Sequence, residues 1–267
     1  MDKSKITPKK LLQFKKDNRK FAALTAYDSL FSSILNEAEI EVILVGDSLG
    51  MIVQGRSNTL HVTVDDVVYH TKCVSRMNKN ALLVADMPFM SYQATVCDAL
   101  YNAAKLIKDG NAEAVKLEGG EEIADTVSRM VRSGMPVMGH IGLTPQDVLT
   151  SGGYFVQGID EKSAKKLIND AKALYEAGVF AMVIECVPAE VARQITTDID
   201  VPTIGIGAGP YCDGQILVTQ DMLGLFKRFK PKFVKTYSNL YEDAVTAIKK
   251  FSEEVKSGEY PGKEHSY

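Results

Sequence analysis

The chain has 267 residues, 45% of them hydrophobic, with 31 basic against 34 acidic residues and a formal net charge of −3. That length is enough to bury about three quarters of the unfolded surface, in one large domain or two small ones. The missing basic excess argues against a nucleic-acid partner, and no apolar run reaches the length of a membrane span.

The opening segment, "MDKSKITPKKLLQFKKDNRK", has no secretory h-region, so a cytoplasmic protein is expected. Its Lys/Arg bias reads as the solvated face of an amphipathic helix. Short apolar runs then recur: "FAALTAYD" (21–28), "VILVGD" (42–47), "ALLVADMP" (81–88) and "AEAVKLEGG" (112–120). Four more follow: "MPVMGHIGL" (135–143), "FAMVIECVP" (180–188), "VPTIGIGAG" (201–209) and "GQILVTQDML" (214–223). A continuous run such as Val42–Val45 fits a parallel strand covered on both faces. Between the runs lie helical patterns. Val96, Leu100, Ala103 and Ile107 share one face, as do Ala164, Leu167, Ile168, Ala171 and Tyr175. Thr63 with Asp66 has the spacing of a capping box, and Gly110, Gly134 and Gly178 are placed to close helices.

Eight strands alternating with helices predict a parallel sheet with right-handed crossovers. An open doubly wound sheet fits that description, but the count of eight and the length favour an α/β (β/α)8 TIM barrel. The expectation is one catalytic barrel domain over residues 1–267. An extra N-terminal helix would plug its bottom, and Leu240 to Val255 would form a C-terminal helix.

In such a barrel the active site lies at the C-terminal strand ends. Asp47 and Ser48, Asp86, Lys116 and Glu118, His140, and Glu185 all fall there. Four carboxylates in one mouth cannot all ionise without cations. Lys116 supplies one positive charge, and a hard divalent ion such as Mg2+ is the natural source of more. A 2-oxo acid held there is suited to enolate chemistry, with Lys116 adding charge stabilisation. Glu185, expected across the mouth from the other acids, is the candidate base, and Met182, Ile184 and Val187 are expected to bury it partly. These residue types leave open proton abstraction and other metal-assisted reactions.

Several features read as structural. Cys73, Cys97, Cys186 and Cys212 have neither CxxC nor zinc spacing and are expected to be reduced and mostly buried. Cys186 has no activating base beside it and reads as packing. Gly205, Gly207 and Gly209 suggest turns, not a nucleotide loop, because Pro210 and "YCDG" follow in place of a helix. His61, His70 and His265 read as structural or exposed, and Tyr27 as a core or mouth aromatic.

The segments "LTAYD" (24–28), "VGDSLGM" (45–51), "ADMPFMSY" (85–92), "VKLEGG" (115–120) and "GHIGLTPQ" (139–146) occur in this order. "ECVP" (185–188), "IGIGAG" (204–209), "DGQILVTQDMLGL" (213–225) and "YPGKEHSY" complete the series. Together, from about Thr7 to the end, they resemble the ketopantoate hydroxymethyltransferase family. The resemblance implies a (β/α)8 barrel, assembled as a homodecamer, in pantothenate and coenzyme A biosynthesis. It implies transfer of a hydroxymethyl unit from 5,10-methylenetetrahydrofolate to 3-methyl-2-oxobutanoate, giving 2-dehydropantoate and tetrahydrofolate. It also implies that Asp47 and Asp86 ligate Mg2+, with Glu118 in the metal's shell. Asp47, Ser48, Asp86 and Lys116 would contact the oxo acid, His140 would support its carbonyl or carboxylate, and Glu185 would accept the proton. Two positions depart: Phe155 in "GGYFVQG" replaces an expected lysine, and His61 in "TLHVTV" an expected proline. They bear on the loop after the fifth strand and on any folate contact it makes. The enzymatic alternative is a Mg-dependent 2-oxo acid lyase or mutase of the phosphoenolpyruvate mutase/isocitrate lyase group. The Lys-Lys-Cys-Gly-His loop of the isocitrate lyases is not in this sequence. A silent homologue retained for binding or assembly is the other alternative, and the intact acids and Lys116 oppose it.

Overall fold

The computed structural model describes residues 4–227 and 231–267. Each apolar run contains a strand, shorter than the run itself. They are β1 (Phe21–Thr25), β2 (Val42–Val45), β3 (Leu82–Asp86) and β4 (Ala114–Glu118). Then come β5 (Val137–Gly142), β6 (Ala181–Glu185), β7 (Thr203–Ile206) and β8 (Gly214–Leu217). All neighbours pair in parallel, and β8 pairs back onto β1, closing the barrel. The run from 214 leaves the sheet after Leu217, and Thr219–Met222 is a helical turn.

The helices are α1 (Pro8–Lys16), α2 (Ser29–Glu37), α3 (Leu49–Ile52), α4 (Val64–Ser75), α5 (Val96–Lys108) and α6 (Ala124–Arg132). They continue with α7 (Val148–Ser151), α8 (Glu161–Ala177), α9 (Ala189–Asp198), α10 (Thr219–Met222) and α11 (Leu240–Ser257). The capping box at Thr63 and Asp66 starts α4. In α5 the buried face is Ala99, Ala103 and Leu106, with the expected Val96, Leu100 and Ile107 half-buried beside it. In α8 the buried face holds Leu167, Ala171 and Leu174 together with Asp170, whose carboxylate accepts from the Glu121 N–H at 3.1 Å. Gly178 closes α8 with φ +98°, and Gly134 also has positive φ. Gly110 does not; Asn111 takes the left-handed turn at φ 60°, and Gly110 is required because a Cβ there would meet the Leu106 carbonyl. No helix separates β7 from β8, whose link at 207–213 turns through Gly207 and Gly209.

The bottom of the barrel is sealed from the N-terminal side. Thr7 caps α1, Pro8 occupies its first turn, and Leu11 and Phe14 are its buried residues. Both join Phe21, Val42, Leu82, Met138, Phe180 and Ile216 in one core cluster. Each side chain contributes about 1.5–3 kcal/mol by leaving water. Lys15 fastens the helix, its Nζ lying 2.9 Å from Asp213 Oδ2 and 2.8 Å from the Thr196 carbonyl.

The chain divides into two compact units, one ending at Leu217 with the whole barrel and one beginning at Val218. Within the second, the Leu240 N–H at the start of α11 donates to the Leu223 carbonyl at 3.1 Å. Gly258, at φ +79°, closes α11. Among the described residues no helix is long and apolar enough to cross a membrane.

Replacing Leu11 with Ala is expected to destabilise the fold by about 2–5 kcal/mol. Chemical denaturation would read the loss, while turnover per folded molecule should hold because the mouth is at the opposite end. A change within about 0.5 kcal/mol, as at a surface site, would show that α1 does not seal the barrel.

Candidate active site

A strand presents alternate residues to the same face. On the inward faces, Val84 is followed by Asp86, Ala114 by Lys116 and Glu118, Met138 by His140, and Ala181 and Val183 by Glu185. Each series begins in the apolar core and ends in an ionisable group at the mouth. Parallel register brings Asp86 opposite Lys116 and Glu118 opposite His140. Asp47 arrives from the turn two residues beyond β2, and its N–H donates to Asp86 Oδ2 at 3.3 Å.

Asp47, Asp86 and Glu118 are buried, and one carboxylate oxygen from each lies within 4.8 Å of the others. Lys116 Nζ sits among them, 3.0 Å from Asp86 Oδ1 and 3.4 Å from Glu118 Oε1. It is also 3.1 Å from His140 Nδ1. The same His140 nitrogen is 3.3 Å from Glu118 Oε1, and Nε2 is 3.3 Å from Glu185 Oε2. Ser48, half-buried at the start of α3, shares a 2.8 Å hydrogen bond with the Tyr27 hydroxyl.

The charges are unevenly settled. Burial pushes Asp47 well above the ordinary carboxylate range, and Asp86 and Glu118 add repulsion. Burial also raises Asp86, against the pull of Lys116. For Glu118, burial acts upward, but Lys116 and His140 outweigh it and hold the group at about 2. Burial would lower Lys116, yet Asp86, Glu118 and Asp47 keep it above its ordinary value. Burial and Lys116 also act downward on His140, but Glu118 and Glu185 raise it to about 9. His140 is thus a second cation near neutral pH. Above that range the neutral ring can accept from Lys116 at Nδ1 and donate to Glu185 from Nε2.

Two like charges about 4 Å apart repel by roughly 4 kcal/mol at an effective dielectric near 20. Three full carboxylates therefore call for more cation than the protein supplies at this spot. The donors are all oxygen, the set a hard divalent ion takes, and buried Asp86 Oδ1 has no well-aligned hydrogen bond. The residues fit such an ion.

Every site residue expected from the sequence lies in this region. In the closed order of eight strands β6, which ends in Glu185, stands opposite β2, which leads to Asp47, and His140 on β5 links Glu185 to Glu118. Met182 and Ile184 do not cover Glu185, since strand alternation turns them to the opposite face of β6. Its side chain keeps 16% exposure. Gly142, at φ +97°, allows this approach: a Cβ there would strike the Glu185 carbonyl, which instead accepts from the Leu143 N–H at 2.8 Å.

Sequence reasoning passed over Gln146 and Tyr92, both buried. They lie inside "GHIGLTPQ" and "ADMPFMSY", but loop residues carry no periodic signal. Tyr27 is buried and also reaches Ser48, so both of its expected roles meet in one side chain. His70 Nδ1 lies 2.6 Å from the Tyr27 carbonyl, while His61 and His265 are exposed. All four cysteines are free; only Cys212 is buried, and Cys97 is exposed. Burial, with Glu185 nearby, pushes the Cys186 thiol up to about 12, unfit for a nucleophile. On the loop after β5, burial and then Asp47, Glu185 and Glu118 raise the Tyr154 phenol, so this loop adjoins the mouth.

A closed (β/α)8 barrel with three buried carboxylates and a lysine at its C-terminal mouth defines a barrel enzyme with a metal-competent centre. The fold is similar to that of phosphonopyruvate hydrolase in complex with oxalate and Mg++ (TM-score 0.64, 13% identity, 97% of this chain and 93% of that chain). It is also similar to 2,3-dimethylmalate lyase, a phosphoenolpyruvate mutase/isocitrate lyase superfamily member (TM-score 0.59, 17% identity, 96% and 89% covered). At those identities the likeness is one of fold. The family model for ketopantoate hydroxymethyltransferase matches residues 5–263. A 3-methyl-2-oxobutanoate hydroxymethyltransferase of Moorella thermoacetica is 54% identical over 265 residues, covering 99% of this chain and 98% of its own. One from Enterococcus faecalis is 55% identical over 250 residues, covering 94% and 91%. The chain belongs to the ketopantoate hydroxymethyltransferase family.

With Asp47 and Asp86 raised from their ordinary 3.8, the metal-free protein loses stability as pH rises from that value through their folded values. A divalent ion must displace the protons they retain. Calorimetric titration of chelator-treated protein with Mg2+, in two buffers of different ionisation enthalpy, is expected to show proton release that shrinks with rising pH. Equal heats in both buffers at every pH would show that both acids are already ionised.

Proposed function

We propose that this protein transfers a hydroxymethyl unit from 5,10-methylenetetrahydrofolate to 3-methyl-2-oxobutanoate, giving 2-dehydropantoate and tetrahydrofolate on the route to pantothenate and coenzyme A. The observation that carries the chemistry is the division of the acids: three buried around Lys116, and Glu185 outside that cluster, partly exposed and held by His140. Family relatives covering nearly the whole chain favour this transfer over the lyase or mutase reactions of fold neighbours. The same likeness supports a cytoplasmic homo-oligomer, with ten copies as the expected count.

In this reading Asp47, Asp86 and Glu118 hold Mg2+, which when bound polarises the substrate's oxo group as a Lewis acid. Asp47, Ser48, Asp86 and Lys116 receive the oxo acid, with Tyr27 keeping the Ser48 hydroxyl in place. Glu185 takes the proton from C3 as that C–H bond breaks. The buried Lys116 ammonium faces the negative charge then shifted to oxygen. Water cleaves the donor's two C–N bonds to its methylene carbon, releasing tetrahydrofolate and a formaldehyde-level carbon. C3 adds to that carbon, and its C=O oxygen takes the proton held by Glu185 to become the hydroxyl. His140, with Nε2 3.3 Å from Glu185 Oε2, orients the base. With Nδ1 turned to Lys116 and Glu118, neither ring nitrogen is left for the substrate's carbonyl or carboxylate.

The direct test is deuterium exchange at C3 of 3-methyl-2-oxobutanoate in D2O, followed by NMR with Mg2+ present and no folate. Wild type should wash deuterium in, while Glu185→Gln should bind the oxo acid and not exchange it. Exchange by that variant at the wild-type rate would place the base elsewhere. Lys116→Met is expected to lower turnover with both substrates by about 100- to 1000-fold, the loss typical of one electrostatic donor. A loss of only about threefold would contradict its assignment. Full activity after exhaustive chelation would remove the metal from the scheme.

A further inference from the structure

Gln146 has no part in the chemistry above, yet this buried amide, 4% exposed, has both ends of its side chain bonded within the site. It lies in the turn that follows β5. Its main-chain N–H donates to Glu118 Oε2 at 3.1 Å. Side-chain Nε2 donates to Asp47 Oδ2 at 3.0 Å and to the Met87 carbonyl at 2.9 Å. Oε1 faces the Tyr92 hydroxyl at 2.9 Å and Gln93 Nε2 at 3.1 Å. The Met87 carbonyl and Asp47 at one end fix the orientation of the amide. The Tyr92 hydroxyl shares its single proton between Oε1 and the Glu118 carbonyl, 2.9 Å from each.

Those bonds reach all three acid-bearing segments. Asp47 comes from the turn after β2, Met87 directly follows Asp86, and Glu118 ends β4. Tyr92 strengthens the tie, since its hydroxyl also accepts from the Glu118 N–H at 3.1 Å. A carboxylate on a freely turning side chain presents either oxygen to an ion. Gln146 engages Oδ2 of Asp47 and Oε2 of Glu118, whose Oε1 faces Lys116 and His140, so the rotation of both carboxylates is fixed.

We infer that Gln146 is the positioning residue of the acid cluster, setting the rotation of Asp47 and the spacing of the three segments for a divalent ion. The inference rests on the metal reading proposed above. Gln146 acts through the acids and needs no contact with ion or substrate. Partners of this kind typically change metal affinity or activity by about 10- to 100-fold when removed.

The test is Mn2+ binding to the full-length protein, read from the free-ion signal in electron paramagnetic resonance. Gln146→Met keeps the side-chain length and the main-chain bond to Glu118 but deletes both Nε2 bonds. Its Mn2+ dissociation constant is expected to rise by about 10- to 100-fold. The Mg2+ concentration for half-maximal activity should rise in parallel. A merely space-filling glutamine would leave both metal readouts unchanged. Tyr92→Phe frees the amide from one fixed partner and should weaken Mn2+ binding in the same direction by a smaller factor. A folded Gln146→Met with wild-type Mn2+ affinity overturns the inference. If that variant does not fold, wild-type affinity in Tyr92→Phe overturns it instead. Wild-type protein that binds no Mn2+ overturns the metal reading itself, an outcome distinct from equal binding by wild type and variant.

Discussion

The mouth of this barrel depends on one ammonium. Lys116 Nζ lies 3.0 Å from Asp86 and 3.4 Å from Glu118, with all three side chains almost wholly out of water. Without that charge Asp86 would lose its ion-pair partner, and only His140 would remain beside Glu118, in a medium where an unpaired carboxylate does not stay ionised. With it, Glu118 is firmly ionised while Asp47 and Asp86 remain raised. The residue that makes the cluster tolerable therefore leaves it under-neutralised, and that remaining deficit is what a divalent ion answers.

Closure of the sheet is what concentrates the charges. Eight parallel strands with inward alternation send apolar residues to the lower layers and leave only the top for polar ones. At the bottom, Leu11 and Phe14 close the core. At the top, β3 to β6 contribute neighbouring side chains, so the candidate base is reached from the acids through one histidine. Gly142 ends β5 and Gln146 lies in the short connection that follows it. The first allows the chain to pass the Glu185 carbonyl, and the second ties Asp47, Met87 and Glu118 together. The end of β5 and the connection after it thus serve the base and the acid cluster alike.

The strands were legible because continuous apolar runs bounded by polar residues survive any placement in space. The Thr63–Asp66 cap was legible because it is local. Helix faces were legible less closely: in α5 the buried centre is Ala99, Ala103 and Leu106, with Val96, Leu100 and Ile107 half-buried beside it. The partial burial of Glu185 was legible, but not which residues cover it. Sequence neighbours such as Ile184 were counted as cover, although a strand sends adjacent side chains to opposite faces. Gln146 and Tyr92 went unread because a loop residue's partners are set by the strands it spans.

What the sequence by itself determined is the set of secondary-structure elements, their parallel order and the identity of the ionisable groups at the strand ends. Hydrophobic periodicity and chain order encode these directly. Only the tertiary structure decided which charges meet: that Lys116 faces Asp86 and Glu118, that His140 stands between Glu118 and Glu185, and that Gln146 reaches Asp47. Those contacts depend on strand register and barrel closure. They join residues such as Asp47 and Gln146, 99 positions apart, at 3.0 Å, where electrostatic and hydrogen-bond energies become large.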